Sequence, residues 1–319
     1  MMKCLYCGKI MNEDVTQEER EACWHSKCAK KFFGTERVPS LDISEEQFTQ
    51  IANDTVQKGL TIPGVQKKIS LHLEESMSTR LTMVDYPTGY ILKPQTAEFR
   101  FLPEFENLAM KLAESAGIKT VPHGLVKLKN DYAYITRRID RRISKRKISF
   151  YAMEDFCQLS NRLTQDKYRG SYEGCSRVIK KYSTFPGIDL SELFIRVVQS
   201  FIIGNSDMHL KNFSLIERHP GKRDFILSRA YDILPVNIIM PEDNEQLALT
   251  LNGKKRNLRK KDFLTFAKGC DMTDLAAEKI LAKFIRLKEE YLKQCDESYL
   301  PRESIKEMKD LIRKRFEAI

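Results

Sequence analysis

The sequence predicts an α+β protein with two lobes, a mixed N-terminal lobe built on an antiparallel sheet and an α-helical C-terminal lobe, preceded by a small metal-stapled module. Three observations carry this. Between about residues 69 and 137, short segments such as ISLHL, RLTMV and YAYIT alternate apolar and polar positions between turn residues, the pattern of antiparallel strands. After Asp232, apolar residues recur at i, i+3 and i+4, the pattern of packed helices. At the front, Cys4, Cys7, His25 and Cys28 stand at metal-ligand spacing. The expected divisions are 1–38, 39–140 and 141–319.

With 319 residues, the chain is long enough to bury a real core in two or three subdomains. Apolar residues make up 42% and charged residues 31%, values that exclude a disordered or membrane-embedded protein. The balance of 54 basic against 44 acidic residues gives +10, spread along the chain, which is compatible with nucleotide phosphates, nucleic acid or an acidic protein. MMKCLYCGKIM lacks the continuous apolar region of a signal peptide, and the run Leu193 to Ile203 is too short and too interrupted to span a membrane. A cytoplasmic location is the expectation. Four of the eight cysteines crowd the front and four are scattered singly, which reads as reduced thiols with one metal site rather than a disulfide framework.

In the front module, Cys4-x-x-Cys7 runs into Gly8 as in a tight knuckle. His25 and Cys28 lie three apart where a helix opens before KKFF, so both side chains share its first turn. Tetrahedral Zn²⁺ on Cys4, Cys7, His25 and Cys28 is the expectation, with Cys23 as the rival fourth ligand. Four protein ligands leave no open position, so the role is structural.

A helix is expected over Ser44 to Lys58, with Ser44 as N-cap, Gln47 three residues on and Gly59 as a stop. The loop Gly64-Val65-Gln66-Lys67-Lys68 then enters a strand, and its amides and lysines suit phosphates. TGYILKP delivers Lys93 on a short strand. FLPEFENLAMKLAESAGI has apolar positions 105, 108, 109 and 112 before Gly117, and so reads as a helix that carries Glu106. Lys93 and Glu106 are a candidate ion pair. A hairpin around Lys129-Asn130-Asp131 leads into RRIDRRISKRK, where a hinge between lobes is expected.

YAMEDFCQLSN is expected to open a helix, and a longer one, Leu190 to Ile203, leads into GNSDMHLKNFS. There Asp207, His209, Lys211 and Asn212 crowd between apolar segments. Asn212 follows Asp207 by five residues, and Asp232 comes about two dozen residues later in YDILP. Protein kinases arrange a catalytic Asp, a metal-binding Asn and a second metal-binding Asp in this way. The turn Asn252 to Arg256 is a basic candidate contact for phosphate or protein.

Taken in order, GVQKK, ILKP, the Glu106 helix, ITRRIDR, YAMEDFCQLSN, GNSDMHLKNFSL and YDILP resemble the HipA family, bacterial serine/threonine kinases of toxin–antitoxin systems with a distant kinase-like fold. The resemblance implies ATP and Mg²⁺ as cofactors. It makes Asp207 the base toward a protein hydroxyl, Asn212 and Asp232 the Mg²⁺ ligands, and Lys93 the countercharge to the phosphates. Gly64, Val65, Gln66 and Lys68 would form the phosphate loop, and Arg137 to Ile139 the hinge that holds the adenine edge. His209 and Lys211 would support the loop or the transferring phosphate. Asn205 stands where common kinases place His, and YDILP lacks the Gly of their metal-binding segment. Family toxins often autophosphorylate a serine just before the phosphate loop; the corresponding residue is Thr61.

By the resemblance, full-length family members carry a larger N-terminal subdomain, and the expectation is a short, core-only form with the zinc module and one helix in its place. The implied partners are therefore a protein substrate such as an aminoacyl-tRNA synthetase, a small companion protein and a helix-turn-helix antitoxin. DNA contact would be weak or indirect. The competing readings are a zinc-containing nucleic-acid-binding regulator and a pseudokinase that uses the fold as a scaffold.

Overall fold

In the computed structural model the described residues are 2–42, 68–74, 80–82, 89–128, 131–144 and 147–319. The expected helix over Ser44 to Lys58 lies outside them. Two compact units emerge, one of residues 1–107 and 121–138, the other of residues 108–120 and 139–319.

The first unit is built on a six-stranded sheet of β1 (Ser40–Asp42), β2 (Ile69–Glu74), β3 (Arg80–Thr82), β4 (Tyr90–Pro94), β5 (His123–Leu128) and β6 (Asp131–Arg137), in the order β1-β3-β2-β4-β6-β5. Only the β1–β3 pair is parallel among these; the others are antiparallel, as the alternation of the sequence requires. The central register sets Lys93 of β4 opposite Tyr134 of β6. The helix Leu102–Ser115 follows β4, and its Phe105, Leu108, Ala109 and Leu112 are buried, as their spacing demands.

The front module is part of this unit. Its Lys3–Ile10 bridge closes a hairpin in which Gly8, at φ +75°, donates its amide to the Cys4 carbonyl at 2.8 Å. Helix Gln17–Ala22 starts at a capping box of Thr16 and Glu19, and helix Ser26–Phe33 follows at once. Leu125 of β5 donates its amide to the Leu5 carbonyl at 3.1 Å, and the Trp24 indole donates to the Leu125 carbonyl at 2.9 Å. Trp24, Phe32, Phe33 and Tyr90 then pack ring against ring, with centroids 4.7 to 5.7 Å apart.

The second unit is helical around Pro186–Ile203, with Leu193, Phe194, Val197, Val198, Phe201, Ile202 and Ile203 fully buried. This helix begins four residues before the expected Leu190, because Pro186 occupies its first turn, where the missing N–H costs nothing. Helices Tyr172–Tyr182, Lys260–Gly269 and Arg302–Phe316 pack against it, and Asp274–Asp296 packs on the last two. The segment YAMEDF departs from expectation. After the antiparallel pair β7 (Arg141–Ser144) and β8 (Lys147–Phe150), Met153–Asp155 forms a strand, β9, paired with β10 (Ser214–Glu217), and only then does a four-residue helix, Phe156–Leu159, begin under an Asp155 capping box. The ladder with β10 satisfies backbone that a longer helix would have withdrawn from the sheet. Among the described residues no helix is long and apolar enough to cross a membrane.

Candidate active site and metal centre

In the first unit, β4 ends in Leu92-Lys93-Pro94, and Lys93 is 3% exposed, with Glu106 at 0%. The lysine Nζ donates to Glu106 Oε1 at 2.5 Å and lies 5.3 Å from the Tyr134 ring centroid. In a buried pair of this kind the cost of lost hydration can exceed the Coulombic gain, so the pair is not by itself a source of stability. Lys68 is exposed one residue before β2. Gly64, Val65 and Gln66 of the expected phosphate loop, and Thr61, lie outside the described residues. Arg137 closes β6, the Arg138 amide donates to the Gly89 carbonyl at 2.9 Å, and the chain passes into the second unit at Ile139.

In the second unit, the long helix stops at Gly204, whose φ of +72° turns the chain sharply into the loop. A Cβ at this position would lie 2.5 Å from Leu311 Cδ2. The Asp207 amide donates to Asn205 Oδ1 at 3.2 Å, and Asn212 Nδ2 donates to the Asp207 carbonyl at 2.8 Å. That bond orients the Asn212 amide so that its oxygen is the donor atom left for a cation. His209 Nε2 stands 3.8 Å from Asp207 Oδ1. The Lys211 Nζ donates to Asp155 Oδ2 at 2.9 Å, and the Lys211 carbonyl accepts from the Tyr231 hydroxyl at 3.1 Å. Lys211 thereby ties the loop to the short helix after β9. Asp232 adopts φ +59°, a left-handed conformation uncommon for a residue with a side chain, directly after Tyr231.

The basic turn after Leu251 carries internal ion pairs. Asn252 and Gly253 form a tight reversal at φ +50° and +72°, and Lys254 and Lys255 pair with Asp262 at 2.8 Å and Glu245 at 2.9 Å. Sequence reasoning missed Tyr168, whose hydroxyl donates to Asp207 Oδ1. Its contact partner is 39 positions away, and no local pattern announces it.

In the front module, ligand atoms of Cys4, Cys7, His25 and Cys28 all lie within 4.8 Å of one another. His25 is the N-cap of helix Ser26–Phe33 but makes no side-chain cap bond; its Nδ1 lies 3.5 Å from Cys7 Sγ and 3.8 Å from Cys28 Sγ. Cys23 is turned away, with its thiol 3.4 Å from the Arg20 carbonyl and 3.6 Å from Met2 Sδ. Of the two rivals for the fourth place, His25 is the one inside the cluster. Burial, then the neighbouring thiols of Cys4 and Cys7, push the Cys28 thiol well above its usual range. A soft divalent cation would reverse that balance, and the three-sulfur, one-nitrogen set suits zinc.

Comparison with known proteins extends this geometry. The family described as HipA-like C-terminal domain matches residues 60–291. A Haemophilus influenzae protein named "Putative kinase" is 24% identical over 302 residues, covering 87% of this chain and 86% of its own length. The Shewanella oneidensis HipA structure, from a complex with HipB and operator DNA, is similar at TM-score 0.67 and 16% identity, over 83% of this chain and 70% of that one. The Helicobacter pylori proinflammatory kinase CtkA is similar at TM-score 0.54 and 16% identity, over 79% and 93%.

Proposed function

The chain belongs to the HipA-like C-terminal domain family, and from that premise we propose that it is an ATP-dependent serine/threonine protein kinase. The observation that carries this reading is the loop itself, in which the Asn212 amide holds the Asp207 carbonyl and leaves a carboxylate and an amide oxygen on one short turn. Asp207 acts as base toward a protein hydroxyl. The acceptor oxygen forms a bond to the γ-phosphorus of ATP, the bond to the bridging oxygen breaks, and the hydroxyl proton passes to the carboxylate. Lys93, held by Glu106, supplies countercharge to the phosphates, with Gly64, Val65, Gln66 and Lys68 as the covering loop and Arg137 to Ile139 as the hinge. Asn212 and Asp232 are the ligands for Mg²⁺, which would supply charge neutralisation on the phosphate oxygens. His209 backs the carboxylate, and Lys211 holds the loop in place.

Cys4, Cys7, His25 and Cys28 hold a structural Zn²⁺ in this reading. The Shewanella neighbour's complex with HipB and operator DNA supports a DNA-binding antitoxin as partner, with DNA contact indirect for this chain. A host protein such as an aminoacyl-tRNA synthetase is the proposed substrate, and Thr61 the proposed autophosphorylation site.

The test is incubation with labelled ATP, Mg²⁺ and a bacterial lysate, wild type against Asp207→Asn. Protein labelling is expected to fall by about 10²–10⁴-fold in the variant, the usual contribution of a positioned base. Undiminished labelling would remove Asp207 from that role.

A further inference from the structure

The segment before helix Tyr172–Tyr182 is stitched to the catalytic loop by backbone. The Leu210 amide donates to the Lys167 carbonyl at 3.2 Å, the segment turns on itself where the Arg169 amide donates to the Asp166 carbonyl at 2.8 Å, and a Cβ at Gly170 would lie 3.5 Å from Leu210 Cδ1. Farther along, the Tyr172 hydroxyl donates to the Met208 carbonyl at 3.1 Å. These bonds leave Tyr168 little choice of position. Its ring meets His209 edge-on, with centroids 5.0 Å apart, Lys167 Nζ lies 4.9 Å from its centroid, and its hydroxyl donates to Asp207 Oδ1.

That carboxylate is the group a general base must offer, and Oδ1 is one of its two accepting oxygens. A base accepts the proton of an acceptor hydroxyl within hydrogen-bond reach, and here a hydroxyl already sits in that relation. We propose that Tyr168 is an internal stand-in for the acceptor hydroxyl, occupying the carboxylate of Asp207 until a protein hydroxyl displaces it and keeping water out meanwhile. The inference rests on the reading of Asp207 as base. It assigns Tyr168 a role in acceptor selection that the loop motif does not contain. Burial, followed by the charge of Asp207, raises the phenol far above its ordinary pKa, so it remains a donor across the physiological range. An acceptor presented on a docked protein can outcompete this phenol, because binding elsewhere contributes to its positioning; a water molecule lacks that help.

The consequence concerns ATP hydrolysis in the absence of protein substrate. In that reaction a water oxygen bonds the γ-phosphorus, ADP leaves, and the water proton goes to Asp207. Tyr168→Phe keeps the ring, its packing on His209 and its volume, and removes only the competing hydroxyl. Substrate-free Mg²⁺-ATP hydrolysis by the full chain is expected to rise about ten- to a hundredfold, the strength of a hydrogen bond to a charged group expressed as a competition. The rise is expected to vanish in Tyr168→Phe combined with Asp207→Asn. Hydrolysis unchanged or lowered in Tyr168→Phe, or a rise that persists without the carboxylate, would overturn the inference.

A second measurement separates its failure from that of the kinase reading. With ¹³Cζ-labelled tyrosine, the Tyr168 resonance is expected to move in Asp207→Asn, because the phenol loses its charged acceptor. A resonance indifferent to that change overturns the stand-in while leaving the kinase reading intact. Absence of ATP turnover and labelling in wild type and Tyr168→Phe alike, with the resonance still responsive, removes the kinase reading and the stand-in role with it.

Discussion

Glu104 shows how a single buried group can set the pH response of the first unit. It lies in the first turn of helix Leu102–Ser115, 7% exposed, and burial, with a smaller contribution from the negative charge of Asp131, pushes its carboxyl up to about 7 from 4.5. The folded state therefore holds a proton that the unfolded chain releases near 4.5, so stability falls as pH rises through the window from 4.5 to about 7 and stays lower above it. Glu104→Gln is expected to flatten that limb and to stabilise the protein above pH 7 by on the order of 2–3 kcal/mol, measured by denaturant unfolding at a series of pH values. A variant with the same pH slope as the wild type would exclude Glu104 as its source. Nothing in LPEFENLAM marks Glu104 as buried, because an acid in a first helical turn is ordinarily exposed. Glu106 was legible for the opposite reason: it falls beside the apolar face 105, 108, 109 and 112, and Lys93 stands on an apolar strand with Glu106 as a ready partner. Tyr168 was missed, and the anchor of Lys211 was not legible, since their partners, Asp207 and Asp155, are 39 and 56 positions away.

At the scale of elements, two short segments carry most of the specific geometry. The front hairpin and the start of helix Ser26–Phe33 bring three thiols and one imidazole together, whereas Cys23 caps the preceding helix in a left-handed conformation, φ +55°. Cys28→Ser is expected to lower bound zinc below one equivalent per chain, and Cys23→Ser to leave it at one, measured by atomic absorption after dialysis. Full zinc in Cys28→Ser would sink the assignment. Spacing made this cluster readable, but the choice between Cys23 and His25 depended on the capping turn that rotates one of them away. The second segment is the stop at Gly204. Besides its φ of +72°, it faces Leu311 of helix Arg302–Phe316 and Asn237, whose Oδ1 accepts from Arg315 Nη2 at 2.8 Å. Gly204→Ala is expected to destabilise the fold by at least about 1 kcal/mol, lowering Tm, and to reduce phosphoryl transfer, since the loop must move to admit the methyl group. Equal Tm and activity would show that Leu311 yields freely. The passage from the helix into the loop after Ile203 was legible; the glycine's close approach to the C-terminal helix was not.

On the scale of the whole chain, the alternation of strands and the later helical periodicity were enough to give the α+β class, because both reflect which faces must leave water. The order of strands, β1-β3-β2-β4-β6-β5, was beyond the sequence, since the β1–β3 and β4–β6 pairings join residues about 40 positions apart and leave no local trace. So was the inclusion of the front module in the first unit through Leu5, Trp24 and Leu125. That inclusion makes Trp24 a built-in optical probe. It is the sole tryptophan of the chain, buried against β5 beside the cysteine cluster, while the long helices lie in the second unit. Indole emission therefore watches one unit, and far-ultraviolet circular dichroism is weighted toward the other. In a guanidinium titration, chelation of zinc is expected to move the emission midpoint to lower denaturant by more than the dichroism midpoint. Equal shifts would mean that the metal and the helices answer to a single cooperative transition, whereas separate midpoints would date the loss of each unit during unfolding.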